Sequence, residues 1–228
     1  MINVSKGWNE QQKQLRILLQ NPKTFNNGKN LLFTMHSLLH EKKVYAAEIE
    51  TYYDDLWNDL KPETCKIISN KETSILWDIW HITRIEDLVG NVLIGNKNEI
   101  FNKEIKTKMN INIKDTGNTM THAEMELFNN EINIKALKDY RVKVGKSTQK
   151  IINALEHSDM KRKINKEQLD TILKNGGVLD ESKWLLDFWG KKDVLGLIMM
   201  PITRHQIVHL NDCFRIKEKY MPLKRRLS

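Results

Sequence analysis

Apolar residues recur every three or four positions along most of this chain, the spacing that lines up one face of an α-helix. Residues 1–28 are polar, with a short helical run at Trp8–Gln20, a break at Asn21-Pro22 and a turn signal at Asn26-Asn-Gly28. Leu32, Met35, Leu39, Ala46, Ile49, Tyr53, Leu56 and Leu60 predict one long helix from about Asn30 to Leu60, stopped by Lys61-Pro62. After a loop, Thr73–Ile94 is apolar around most of its circumference, as a central helix should be, and Gly95-Asn96 ends it. Residues 96–120 show no clear period, and Asn110–Asn118 reads as an exposed crossover loop. Phe128, Ile132, Leu137, Tyr140, Val144, Ile151 and Leu155 carry a third amphipathic helix from Thr121 to Leu155. A short helix over Ile164–Leu173, capped by Asn165, stops at Gly176-Gly177. Trp184–Trp189 reads as an aromatic connection that packs the core. The last helix spans Lys192 to Tyr220, with a kink expected at Pro201.

Four long helical segments with one long crossover predict an all-α protein, a four-helix bundle. Its parts are an N-terminal extension at 1–28, the bundle at 29–220 and a basic tail at 221–228. With only 10 Gly and 4 Pro, a turn-rich all-β architecture is excluded. The polar N-terminus lacks a signal-peptide core, and no apolar window is long enough to span a bilayer; the expected address is the cytoplasm. The net charge of +8 admits an anionic partner, but it is spread along the chain outside Lys224-Arg-Arg226, and no nucleic-acid motif accompanies it. Cys65 and Cys213 form no CxxC pair and read as free core thiols.

Histidine carries the candidate chemistry. On a helical wheel, His205 and His209 fall with Ile198, Ile202 and Ile216 inside a sector of roughly 60°, with Asp212 at its edge. Two imidazoles on an apolar face need partners, and a shared metal ion would supply one. His81 lies beside Ile85 and Leu88 at the flank of the second helix's buried face, a third candidate ligand. Three nitrogens would leave positions open for water or substrate, as catalytic sites do. Glu86 falls toward the same apolar side and reads as a base, a group behind the ligands, or half of an ion pair. His36 and His40 repeat the His-x3-His spacing but lie about 115° and 155° from the stripe centre of their helix, and so read as solvated. His122 near a capped helix start and His157 near a helix end need no metal.

One histidine in Trp80-His81-Ile-Thr-Arg-Ile-Glu86, followed by Arg204-His-Gln-Ile-Val-His-Leu210, resembles the DinB-like superfamily, which includes the YfiT-like proteins and thiol-dependent S-transferases. The resemblance covers roughly residues 30–220. It implies an up-down-down-up bundle and a site for nickel, zinc, iron or manganese formed by His81, His205 and His209. It also implies a low-molecular-weight thiol such as bacillithiol or mycothiol as cosubstrate. Where members often end the motif in His-Arg-Gly-Gln, this chain has Leu-Asn-Asp after His209, which leaves the substrate class open. Asp212 would orient a ligand imidazole or pair with Arg215. The reading is a metal-dependent transferase or hydrolase acting on a small molecule. The alternative is a non-catalytic metal-binding or structural bundle that works through a homodimer or another protein contact.

Overall fold

The computed structural model describes residues 7–46, 48 and 50–221. Their regular structure is helical, with no β-strand among the described residues and one isolated bridge between Lys163 and Asp193. In chain order the helices are α1 (Trp8–Gln20), α2 (Phe25–Leu38), α3 (Tyr52–Trp57), α4 (Pro62–Cys65) and α5 (Ile75–Glu86). Then come α6 (Lys103–Met109), α7 (His122–Glu131), α8 (Ile134–Ala154), α9 (Lys166–Lys174), α10 (Trp184–Gly190), α11 (Val194–Leu197) and α12 (His205–Tyr220). No described helix is long and apolar enough to cross a membrane.

The centre is α5, in which every residue from Ile75 to Glu86 is buried. It packs against α7, α8 and α12. Ser74 caps it by accepting from the Trp77 amide. The helix continues to Ile94 as a π-helical stretch, Asp87–Ile94, which is also buried throughout. At the other end of the chain, α11 leads into a second π-helical stretch, Ile198–Arg204, and then α12. Pro201 lies inside that stretch and has no amide hydrogen to give, so the expected kink takes the form of a widened turn. Side chains take up the carbonyls: Thr203 Oγ1 donates to Ile198 O at 2.8 Å, and Gln206 Nε2 donates to Pro201 O at 3.3 Å and to Ile82 O at 2.9 Å. The last bond ties the widened turn to α5.

Several boundaries differ from the sequence reading. The segment from 30 to 60 is not one helix: α2 ends at Leu38, and α3 starts afresh at a capping box, Thr51 with Asp54. Ile49 lies outside the described residues. Asn26-Asn-Gly28 is not a turn but the start of α2. There α1 comes so close that a Cβ on Gly28 would sit 3.0 Å from the Leu19 amide nitrogen, so glycine serves packing here. The 121–155 helix is broken at Ile132-Asn133, where Asn133 caps α8 through the Ala136 amide. The aperiodic 96–120 region holds α6, capped by Asn102 and ended by Asn110 in the left-handed region at φ 54°. Trp8, Leu15 and Leu19 of α1 are buried in the common core.

Burying Asp87, at the start of the π-helical stretch, sets the local architecture. Its carboxylate receives the Ile100 and Phe101 amides at 2.8 and 2.9 Å, Asn91 Nδ2 at 2.8 Å and the Tyr140 hydroxyl at 2.6 Å, with Arg84 beside it. Asp87→Ala strands all these donors and should cost about 3–5 kcal/mol. Urea denaturation checks this; a loss under about 1 kcal/mol contradicts the placement of the carboxylate.

Candidate metal centre

His81 projects from α5 toward the first turns of α12, where His205 and His209 stack one turn apart. The three rings converge. Their centroids are 5.1 Å (His81–His205), 4.9 Å (His81–His209) and 4.5 Å (His205–His209) apart. One nitrogen from each lies within 4.8 Å of the others. The Nε2 atoms of His205 and His209 are 3.1 Å apart. Two nitrogens bound to one ion by ~2.0–2.1 Å bonds lie about 2.9–3.4 Å apart, so this spacing fits shared coordination.

The far sides of two rings fix which nitrogen is available. Nδ1 of His81 faces the Thr116 carbonyl at 2.7 Å. A carbonyl only accepts, so that nitrogen carries the hydrogen and Nε2 keeps its lone pair. Nδ1 of His209 faces Asp78 Oδ1 at 2.7 Å, with the same consequence. His81 also stacks on Trp77, centroids 4.5 Å apart and planes 10° from parallel. His205 has no partner at Nδ1, a buried nitrogen. The residues thus fit a metal ion: three ring nitrogens converge, and two of the rings are anchored from behind at Nδ1.

Thr116 is held in place by α5 itself. Four consecutive carbonyls of the crossover, Lys114 to Gly117, accept from Arg84 Nε, Trp80 Nε1, His81 Nδ1 and Trp77 Nε1 at 2.7–3.1 Å. The crossover is therefore a strap bound along α5: Asn110, Asn112, Lys114 and Asn118 are exposed as expected, while Ile111 and Thr116 are buried.

Burial lowers the His81 pKa to about 3, helped by charge on His209 and opposed by the Thr116 hydrogen bond. Burial and the two neighbouring rings hold His205 well below its ordinary value. Burial pushes the Asp78 carboxyl up, and the His209 hydrogen bond opposes the rise. Cys213, four residues after His209, approaches Asp78 rather than the rings, with Sγ 3.7 Å from Oδ2.

The two carboxylates singled out from sequence stand elsewhere. Asp212 pairs with Lys71 at 2.9 Å and with Arg215, so of its two expected roles it takes the ion pair, and Asp78 stands behind His209. Glu86 does not face the three histidines but lies against His36 and His40. Those two are not solvated: both are 0% exposed. The wheel misplaced them because it averaged over a helix that stops at Leu38. Within α2, His36 continues the buried stripe of Phe25, Gly28, Leu32 and Met35. His122 and His157 are accounted for without metal: one pairs with Glu72, the other with the Gln20 carbonyl.

A cavity of about 200 Å³ opens beside the centre, with His81 and His205 in its wall. The rest is mostly apolar: Ile85, Trp184, Phe188, Trp189, Met200 and Pro201, with Asn118 as a polar member. The aromatic segment 184–189, read as core packing, therefore also walls this cavity, Trp184 from its exposed rim.

Removing the carboxylate behind His209 tests the anchoring. Asp78→Asn should weaken zinc affinity about 10–100-fold with the fold retained, as read by competition against a chelator; unchanged affinity contradicts the role. At pH 6 three ordinary imidazoles would together release about two protons on binding an ion. Because His81 and His205 arrive already neutral, calorimetry in buffers of different ionisation enthalpy should find about one proton or fewer per zinc. Release of about two contradicts the neutral pair.

Compared with protein-family models, with curated proteins and with solved structures, the chain finds no match.

Proposed function

We propose that the chain is a metal-dependent enzyme that joins a small thiol to an apolar electrophile, or hydrolyses one, at a centre formed by His81, His205 and His209. The observation that carries this is the paired anchoring: a carbonyl behind His81 and a carboxylate behind His209 hold both rings at Nδ1, where the three rings converge. A bound divalent ion would supply Lewis acidity, lowering the pKa of a thiol or water at its open position.

The remaining roles fall to the chain. Asp78 and Thr116 hold the two ring orientations. Trp184, Phe188 and Met200 give the electrophile an apolar wall and keep water from it. Asn118 offers a polar group to orient a carbonyl or leaving group. In transfer, the sulfur–carbon bond forms as the carbon–leaving-group bond breaks, and the thiol proton goes to solvent.

In this reading the chain is a DinB-like up-down-down-up bundle acting in the cytoplasm. Its four long members would be α2, α5 with its π extension, α8, and the run from α11 to α12. Support comes from α5 packing against α8 and α12, and α2 against α8.

Thermal denaturation with and without saturating zinc or nickel tests the ion. Wild type should gain about 5–10 °C more than His205→Ala/His209→Ala. A thioether assay with a dinitrophenyl halide and a panel of low-molecular-weight thiols tests the chemistry. Turnover should need the metal and fall at least ~100-fold in the double variant. Equal thermal shifts in both proteins overturn the site. Ion binding with neither thiol transfer nor hydrolysis overturns the catalytic reading and leaves a non-catalytic metal-binding bundle.

A further inference from the structure

His36, His40 and Glu86 form a second cluster that the proposed reaction does not use. All three side chains are 0% exposed. Glu86 comes from α5, and the two histidines come from α2 and the turn that follows it. One donor atom from each lies within 4.8 Å of the others.

The carboxylate is straddled by the two rings. Its Oε1 lies 2.8 Å from His36 Nε2, and its Oε2 lies 3.0 Å from His40 Nε2. The first contact is a hydrogen bond. The second is an ion-pair contact, and His40 Nδ1, which is buried, has no partner. A buried carboxylate between two imidazoles, one of them with a bare nitrogen behind it, is expensive unless a further group completes the set. Nor does Arg141 supply that group. It is buried close enough for its charge to act on Glu86. Yet it gives Nη1 to Thr83 Oγ1 at 3.1 Å, and Nη2 to the Leu39 carbonyl at 2.8 Å and Gln206 Oε1 at 3.1 Å. The Glu86 oxygens are left to the histidines.

We propose that His36, His40 and Glu86 bind a second divalent transition-metal ion in a closed, structural site. Two imidazole nitrogens and the Glu86 carboxylate, bound through one oxygen or chelating through both, give zinc its protein donors in a pocket closed to solvent. Two histidines and one carboxylate also suit ferrous iron or manganese. Donors on an ion with ~2.0–2.2 Å bonds lie about 2.9–3.5 Å apart, so the observed 2.8 and 3.0 Å contacts need only a slight opening. Behind the site, Tyr45 Oη lies 2.6 Å from His36 Nδ1 and can accept its hydrogen once Nε2 binds the ion. On the other side, Gly145 of α8 makes room for the His40 ring: a Cβ there would stand 2.6 Å from His40 Nδ1. The ion would join α2 and the turn after it to the central helix.

Metal-free full-length protein, loaded with zinc, dialysed and analysed for metal content, tests this. Wild type should retain about two zinc ions per chain and His205→Ala/His209→Ala about one. Retention of about one by both proteins keeps the second site and instead removes the first. Loss of all zinc from a folded double variant overturns the second site. Anomalous diffraction from zinc-loaded wild-type crystals locates the ions without any substitution. A peak within bonding distance of His36, His40 and Glu86 is the expected result. Zinc found only elsewhere, or no peak at the cluster, overturns the proposal even if the double variant does not fold.

Discussion

The structure depends on keeping polar groups satisfied along a helix that has no solvent face. All of α5 is buried, yet it carries Asp78, His81, Arg84 and Glu86, and Asp87 follows at once. In such surroundings each unmatched polar group would cost a few kcal/mol, a large share of a domain's net stability. The fold answers by bringing partners to α5. The 114–117 strap supplies carbonyls to four of its side chains. Tyr140 on α8 and the amides of Ile100 and Phe101 go to Asp87. His209 on α12 goes to Asp78. The same demand that organises the packing thus aims His81 and His209.

Both π-helical stretches border the histidine-bearing turns. One follows His81 and Glu86 on the central helix; the other precedes His205. Widened turns shift the angular register of all that follows, so α12 does not continue the wheel of the residues before it. Pro201 opens the second stretch by lacking a hydrogen, and Thr203 and Gln206 absorb the freed carbonyls. Gln206 also bonds to α5 and to Arg141, which fixes the turn between His205 and His209 relative to the central helix.

Much of this was legible in the residues. The unbroken apolar circumference of Thr73–Ile94 marked the central helix, and three histidines in two separate segments marked the centre. Asp78 was within reach too, since it stands three residues before His81 on the same face of the helix. Thr116 was not: a backbone carbonyl in an aperiodic crossover leaves no compositional trace. The errors came from joining helices across unseen starts. Thr51 with Asp54, Asn102 and Asn133 are N-cap residues that a pattern of apolar spacing passes over. A single helix over Asn30–Leu60 puts His36 and His40 on a solvent face, whereas the break after Leu38 leaves both buried.

The central claim is that His81 and His209 hold their hydrogens on Nδ1 and turn Nε2 toward a shared point. Long-range proton–nitrogen NMR of the histidine rings, in metal-free protein near neutral pH, reads those hydrogens directly. The account predicts two rings that carry a hydrogen on Nδ1, whose Nε2 resonances move on adding zinc while the Nδ1 hydrogens stay. Rings protonated at Nε2, or Nε2 resonances that ignore the metal, would contradict it.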